Sequence, residues 1–367
     1  MAIISGGKGV RTKGTALPII INGNMAVHQR GGSFADVGDG VYTLDRFETH
    51  KNTDGAVTVS QEDLTSGNAY LDGFRTALKC DVTTADGTLA GTQRFFIQQI
   101  VEARNLQALK FGTANAEKLT LAFWVKATKT GTHIVRMYQY DDDRSVSIAY
   151  TVNTTNTWEK KVMNFPADTT GVIDNDNGQG IQITWAIGAG ASFQSGTLAT
   201  SWAGNTSAND FVGQVNGLDS TSNNFHLTGV QLEVGEFSST TLPAFQHESY
   251  GDNLQRCQRY FLFTGDGSAY QSHGTGVEVS STTGYCNVPL STTMRATPSV
   301  SKEDALVIFD GNGESAITGI GNIYYGKQGT MVQVAVTASG GGLTDNAGLI
   351  VYSTNDSASG FLIDAEL

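Results

Sequence analysis

Residues 225–262 read FHLTGVQLEVGEFSSTTLPAFQHESYGDNLQRCQRYFL, and the pattern changes character three times along them. FHLTGVQLEV (225–234) alternates as a strand, but its apolar parity shifts across Gly229, from Phe225 and Leu227 to Val230, Leu232 and Val234. One extra residue in a strand produces such a shift, so a β-bulge is expected there. An extended connector containing Pro243 follows. SYGDNLQRCQRYF (249–261) then puts Leu254, Cys257 and Tyr260 or Phe261 at three-to-four-residue spacing, which predicts one or two helical turns with an apolar stripe. Strands resume at once. The stretch therefore closes one β-domain and opens another. Leu254, Cys257 and Tyr260 are candidate junction or assembly residues, packing either between the domains of one chain or against symmetry mates.

Upstream, LTLAFWVKA (119–127), HIVRMYQY (133–140), WEKKVMNF (158–165) and IQITWAI (181–187) alternate with period two between turn clusters. That is the signature of sheets buried on one face. RFFIQQIVE (94–102) is ambiguous, and a short helical segment is the preferred reading. Downstream, strands are expected at 259–263, 276–281, 285–290, 298–302, 305–310, 322–326, 330–339, 348–354 and 361–367, at the spacing of a compact sandwich. The expected fold is all-β: an N-terminal jelly-roll β-sandwich and a smaller C-terminal β-sandwich, with minor short helices. The boundaries read as a Gly-rich leader or attachment arm (1–16), the jelly roll (17–248), the junction (249–261) and the C-terminal domain (262–367).

Composition supports many tight turns: the 367 residues include 44 Gly and only 5 Pro. The Gly have no three-residue period, which excludes a collagen-like shaft. With 23 basic and 35 acidic residues the net charge is −12, so phosphate neutralisation is disfavoured and neither nucleic acid nor an anionic membrane surface is an expected partner. No stretch approaches the ~20 consecutive apolar residues of a membrane span. Cys80, Cys257 and Cys286 are odd in number and lack metal-ligand spacing, so each reads as a small buried apolar residue.

No GxSxG elbow, HExxH or P-loop is present, and the six His are isolated in sequence. The expected class is not an enzyme, and no cofactor is expected. Asp141, Asp142 and Asp143, and likewise Asp174 and Asp176, cluster in loops. They could supply hard oxygen ligands to a structural calcium ion, or be solvated turn residues. Neither cluster has EF-hand spacing. Arg136, Tyr138 and Tyr140 share one strand face, and Gln182 and Thr184 share another. Together they would give rings for stacking on sugars with polar groups for hydroxyls, and Trp202 in a Gly/Ser/Thr-rich loop is expected to be exposed beside them. The other reading of such tyrosines is a core edge or subunit interface.

Four blocks carry a resemblance to a known family: NGNMAVHQRG (22–31) with YTLDRF (42–47), LTLAFWVKA (119–127), GVQLEVGEFSSTTLPAFQHESYGDNLQRCQRYF (229–261) and GFLIDAEL (360–367). In this order they resemble bacteriophage tail-fibre and other virion structural proteins, in which a carbohydrate-binding-module-like jelly roll precedes a small C-terminal β-domain. Members usually carry Trp where Phe47 stands. The resemblance implies a virion location after assembly in the host cytoplasm, a tail fibre or receptor-binding role, and often a homotrimer. It brings no catalytic residues. The expected partners are host-surface polysaccharide and, through the N-terminal arm, other virion proteins. The alternatives are a purely structural capsid or tail decoration protein and, less favoured, a polysaccharide-degrading tailspike.

Overall fold

The computed structural model describes residues 17–265, 267–326, 329–340 and 342–367. The Gly-rich leader lies outside them. The larger domain begins with β1 (Ser33–Phe34), β2 (Val41–Tyr42), β3 (Glu48–Asn52) and β4 (Ala56–Asp63), then one turn of helix, α1 (Asn68–Leu71), and β5 (Thr76–Thr84). β6 (Arg94–Glu102), β7 (Leu119–Ala127), β8 (Gly131–Gln139), β9 (Arg144–Val152) and β10 (Glu159–Phe165) follow. β11 (Gln179–Ala189), β12 (Ala203–Gly204) and β13 (Asn224–Val234) complete it. These strands form a six-stranded sheet, β1-β4-β5-β13-β7-β10, and a seven-stranded sheet, β12-β9-β8-β11-β6-β3-β2. The chain passes repeatedly from one sheet to the other between antiparallel strands, which makes the domain a jelly roll. Leu78, Phe123, Val125 and Phe225 from the first sheet meet Phe95, Ile97, Met137, Ile183 and Trp185 from the second in one core.

Residues 94–102 correct the helical reading: they are β6, a central strand paired with both β11 and β3. Phe95, Ile97 and Val101 face the core, while Phe96 and Ile100 are buried on the opposite face. A strand covered on both sides loses the clean alternation that would have marked it. The helical turns come one element later, as a 3-10 segment at Ala103–Leu109. At Gly229 the pairing of β13 with β7 slips between Thr228 and Gln231. Its φ is +61°, and a Cβ there would sit 2.6 Å from the Phe74 ring. Only Gly meets both conditions.

The smaller domain is introduced by α2 (Tyr250–Gln258), capped by Ser249, whose hydroxyl accepts from the Asp252 N–H at 3.1 Å. β14 (Phe261–Phe263), β15 (Ser272–Ser280), β16 (Thr283–Pro289), β17 (Ser299–Glu303) and β18 (Leu306–Phe309) follow. β19 (Glu314–Tyr325), β20 (Met331–Ala338), β21 (Gly348–Ser353) and β22 (Gly360–Asp364) end the chain. Here the expected sandwich is a closed barrel, β15-β16-β20-β19-β18-β21, beside a small sheet β14-β22-β17. Register shifts in β15 and β19, the latter beside Gly319 and Gly321, supply the bending that closure needs.

A buried ionic clasp joins the two domains. Arg259 donates twice to Glu102, at 2.9 and 2.7 Å, and the Tyr260 hydroxyl donates to the same carboxylate at 2.8 Å. Arg46 pairs with Glu366, donates to the Ile100 carbonyl at 2.6 Å and lies 3.6 Å over the Tyr260 ring. Arg30 pairs with Asp364 at 3.1 Å and covers the Phe261 ring at 3.4 Å. Beneath the clasp, Cys257 and Tyr260 pack with Ile21 and Val27, and with half-buried Leu254 and Leu367. Three of the four resemblance blocks thus meet at one place.

Burial also sets a pH response. His133 is 1% exposed, stacked on Tyr150, with its Nε2 3.1 Å from the Lys129 carbonyl. Burial holds its pKa below the ordinary 6.5, so the unfolded chain takes up the proton first. Its contribution to stability is full above pH 6.5 and is lost as pH falls toward the lower folded value, at up to about 1.4 kcal/mol per pH unit. The melting temperature should drop between pH 7 and 5.5, with a shallower drop in His133→Gln. An imidazole that titrates at or above 6.5 by NMR would contradict this.

Candidate functional site

The outer face of the seven-stranded sheet gathers most of the polar residues singled out above. Pairing sets Arg136 beside Ser147 and Thr184, and Thr184 beside Gln98, which pairs in turn with Glu48. The next row runs Ser145, Tyr138, Gln182. Because alternate residues share a face, these side chains all point away from the core. Arg136 donates to Asp210 at 2.6 Å and to the Gln182 side-chain carbonyl at 2.7 Å. The Gln182 amide donates to the Tyr140 hydroxyl at 3.1 Å, and the Tyr138 hydroxyl donates to Asp143 at 2.9 Å. The two tyrosine rings meet edge to face at 4.9 Å, and the Arg136 guanidinium lies 5.1 Å from the Tyr138 centroid. A fixed array of two rings, a guanidinium and an amide results.

Burial tunes its titration. Burial raises the Tyr140 pKa to about 12, with Glu48 nearby adding to the effect. Burial also raises the Tyr138 pKa, and the hydrogen bond to Asp143 adds to it. Burial pushes the Asp210 carboxyl up, against the pull of Arg136. Both hydroxyls therefore stay protonated near neutrality and can donate as well as accept.

The open part of this face is narrower than the sequence suggested. Residues 190–217 fold back across the sheet, and Phe193, Leu198 and Phe211 pack on Phe96, Ile134, Ala186 and Ala189. Thr184 is fully buried and Gln182 is 5% exposed, while Tyr138, Tyr140 and Arg136 are half-buried at the edge of the cover. Thr184 is thus excluded from direct contact with a ligand, and Gln182 acts mainly by holding Arg136 and Tyr140. Trp202 needs the opposite correction to its expected exposure. It is buried, edge-on to Phe111, with its indole N–H donating to the Pro166 carbonyl at 2.8 Å. Polar neighbours in sequence hid a core residue. Asp210, Gln98 and Glu48 were missed, because their roles arise only from pairing between distant strands.

The aspartate loops come together, but as braces. Asp141 accepts from the Asp174 N–H at 3.0 Å, Asp142 from the Val172 N–H at 2.6 Å and Asp176 from the Gly178 N–H at 2.7 Å. Among the described residues no three His, Cys, Asp or Glu converge to hold a metal ion, and these aspartate oxygens accept from loop backbone N–H groups. Burial raises the Asp141 pKa, and the neighbouring carboxylates of Asp174, Asp176 and Asp142 add to the rise.

No protein-family model and no curated protein sequence matches the chain. Among solved structures it is similar to the enzymatically active domain of bacteriophage CBA120 tailspike protein 4. That match has 13% identity, covers 55% of this chain and 21% of the other, and has a TM-score of 0.30. It is also similar to the family 11 carbohydrate-binding module from Clostridium thermocellum in complex with a β-1,3-1,4-mixed-linked tetrasaccharide (12% identity, 56% and 98% covered, TM-score 0.26). TmCBM61 in complex with β-1,4-galactotriose matches at 12% identity, with 60% and 99% covered and a TM-score of 0.26. At these scores the likeness carries no argument, and the jelly-roll assignment rests on strand order and register.

Proposed function

We propose that this chain is a non-catalytic phage virion protein, a tail fibre or receptor-binding protein, that contacts a host-surface glycan through the outer face of the seven-stranded sheet. The observation that carries the reading is the Tyr138, Tyr140, Arg136 and Gln182 array. Half-buried rings offer stacking surface, and polar groups pre-positioned by Asp210 and Gln182 offer hydrogen bonds with little ordering cost on binding. The virion location is supported by the sequence blocks. A homotrimer fits the barrel's outer surface, where Val277, Val279, Phe309, Tyr324, Met331 and Ile350 are exposed. That same surface favours the second reading, a structural decoration protein held by its neighbours.

The test is adsorption of the purified full chain to host cells and their extracted polysaccharide. Tyr138→Ala and Tyr140→Ala should each weaken binding about tenfold, the loss expected for a stacking ring. Sedimentation of the same samples should give three times the chain's 38.9 kDa. Wild-type adsorption by both variants would overturn the site. Absence of adsorption by the wild type, with reducing ends released or not, would overturn glycan recognition without catalysis in favour of the tailspike or decoration reading.

A further inference from the structure

A second groove opens at the rim of the other sheet, where the 62–68 loop faces the turn at 156–158. Its volume is about 350 Å³, the scale of a small-ligand site, and it is lined by Glu62, Asp63, Asn68, Lys126, Asn156 and Trp158 among others. Trp158 and Leu64 lie at its base, each only 6% exposed, so the accessible lining is mainly polar. The walls carry acceptors and donors together. Gly67, at φ +91°, lets the loop press onto the indole, since a Cβ there would be 3.0 Å from Trp158 Cδ1. Asn68 ties the loop down by donating to the Trp158 carbonyl at 3.3 Å.

Behind the wall, His226 is 2% exposed, with Nδ1 2.7 Å from Glu62 Oε2. The hydrogen bond from His226 holds the Glu62 carboxyl down to about 2, so this group is an ionised acceptor throughout the physiological range. Lys126 lies 3.5 Å from Glu62 and 5.3 Å from the Trp158 ring centre.

We propose that this groove binds a neutral, hydroxyl-rich ligand, a pyranose unit of an oligosaccharide, as a second glycan site independent of the one at Tyr138. Each competing chemistry is opposed by a residue in place. Glu62 and Asp63 repel phosphate or uronate, and Lys126 occupies the ring face that an ammonium ligand would take. Clustered carboxylate, ammonium and amide groups instead match the alternating donors and acceptors of a polyhydroxylated ring. Two sites on opposite sheets would let one chain hold a repeating polymer at two points.

Titration of the full chain with cellotetraose, maltotetraose and β-1,4-galactotetraose, followed by backbone amide and indole NMR, tests this. At least one neutral tetrasaccharide should saturably shift the amides of 62–68 and 156–158 together with the Trp158 indole N–H. Ser66→Trp, a bulky change at an exposed loop position, should raise that Kd at least tenfold, and Glu62→Gln should weaken binding without unfolding. Loss of the shifts around Tyr138 in Tyr138→Ala reports separately on the first site. The inference is overturned if no neutral sugar shifts the groove, if propylammonium or glucuronate saturates the same amides equally, or if Ser66→Trp binds as the wild type does.

Discussion

Arg46→Met should destabilise the protein by about 3–5 kcal/mol, the cost of breaking a buried ion pair from one side. Arg46 is 1% exposed and Glu366 side-chain exposure is 5%, so removing the guanidinium strands a carboxylate that water cannot reach. The same substitution strips the cation from the Tyr260 ring and removes a donor from the Ile100 carbonyl. Arg30, 3.3 Å from Glu366, offsets part of this. Calorimetry should show the melting of the two domains drawn further apart than in the wild type, with the smaller domain melting first. The double variant Arg46→Met with Glu366→Met should recover most of the loss, because no charge then remains buried alone. A loss below about 1 kcal/mol in the single variant would show that the clasp is incidental to the arrangement of the domains.

Gly276→Ala should cost about 3 kcal/mol or more and should act on the barrel alone. Gly276 in β15 pairs with Cys286 in β16 and Leu349 in β21, at the seam where the barrel closes. A Cβ there would collide with the Tyr285 carbonyl oxygen and approach the Cys286 Cα to 3.0 Å. Both are backbone atoms, so no rotamer change relieves the clash. All four Trp lie in the larger domain, at 124, 158, 185 and 202. Trp fluorescence should therefore report a native larger domain while far-UV circular dichroism loses β signal from the smaller one. Loss of both signals together would mean that the domains fold as one cooperative unit. Loss of neither would mean that the barrel tolerates opening at this seam.

The strands of the smaller domain were legible almost one by one, as short β-branched and aromatic runs spaced between turn signals. Their closure was not. It depends on bulges in β15 and β19 that alter curvature without altering alternation, and NIYYG (322–326) revealed only the end of a strand that begins at Glu314. β6 was misread for the complementary reason, as burial of both faces erased its period. At the candidate site, the grouping of Arg136 with Tyr138 was local and readable, while its partner Asp210 is 74 residues away and appears only through folding. The resemblance blocks also take on a physical meaning. Asn22, Arg30, Arg46, Arg259, Tyr260 and Glu366 belong to them, and all sit at the junction rather than at either groove.

Alternation, turn chemistry and charge are properties of neighbours along the chain. They were enough for an all-β chain, a bulge at Gly229, helical turns within 249–261 and a net charge of −12. Exposure is a property of the whole packing. Tertiary structure alone decided that Trp202 and Thr184 are buried, that the aspartate loops brace backbone N–H groups, that the smaller domain closes and that a groove lies beside Trp158. Each of these depends on which distant segment covers a side chain, and that information is absent from any local window of sequence.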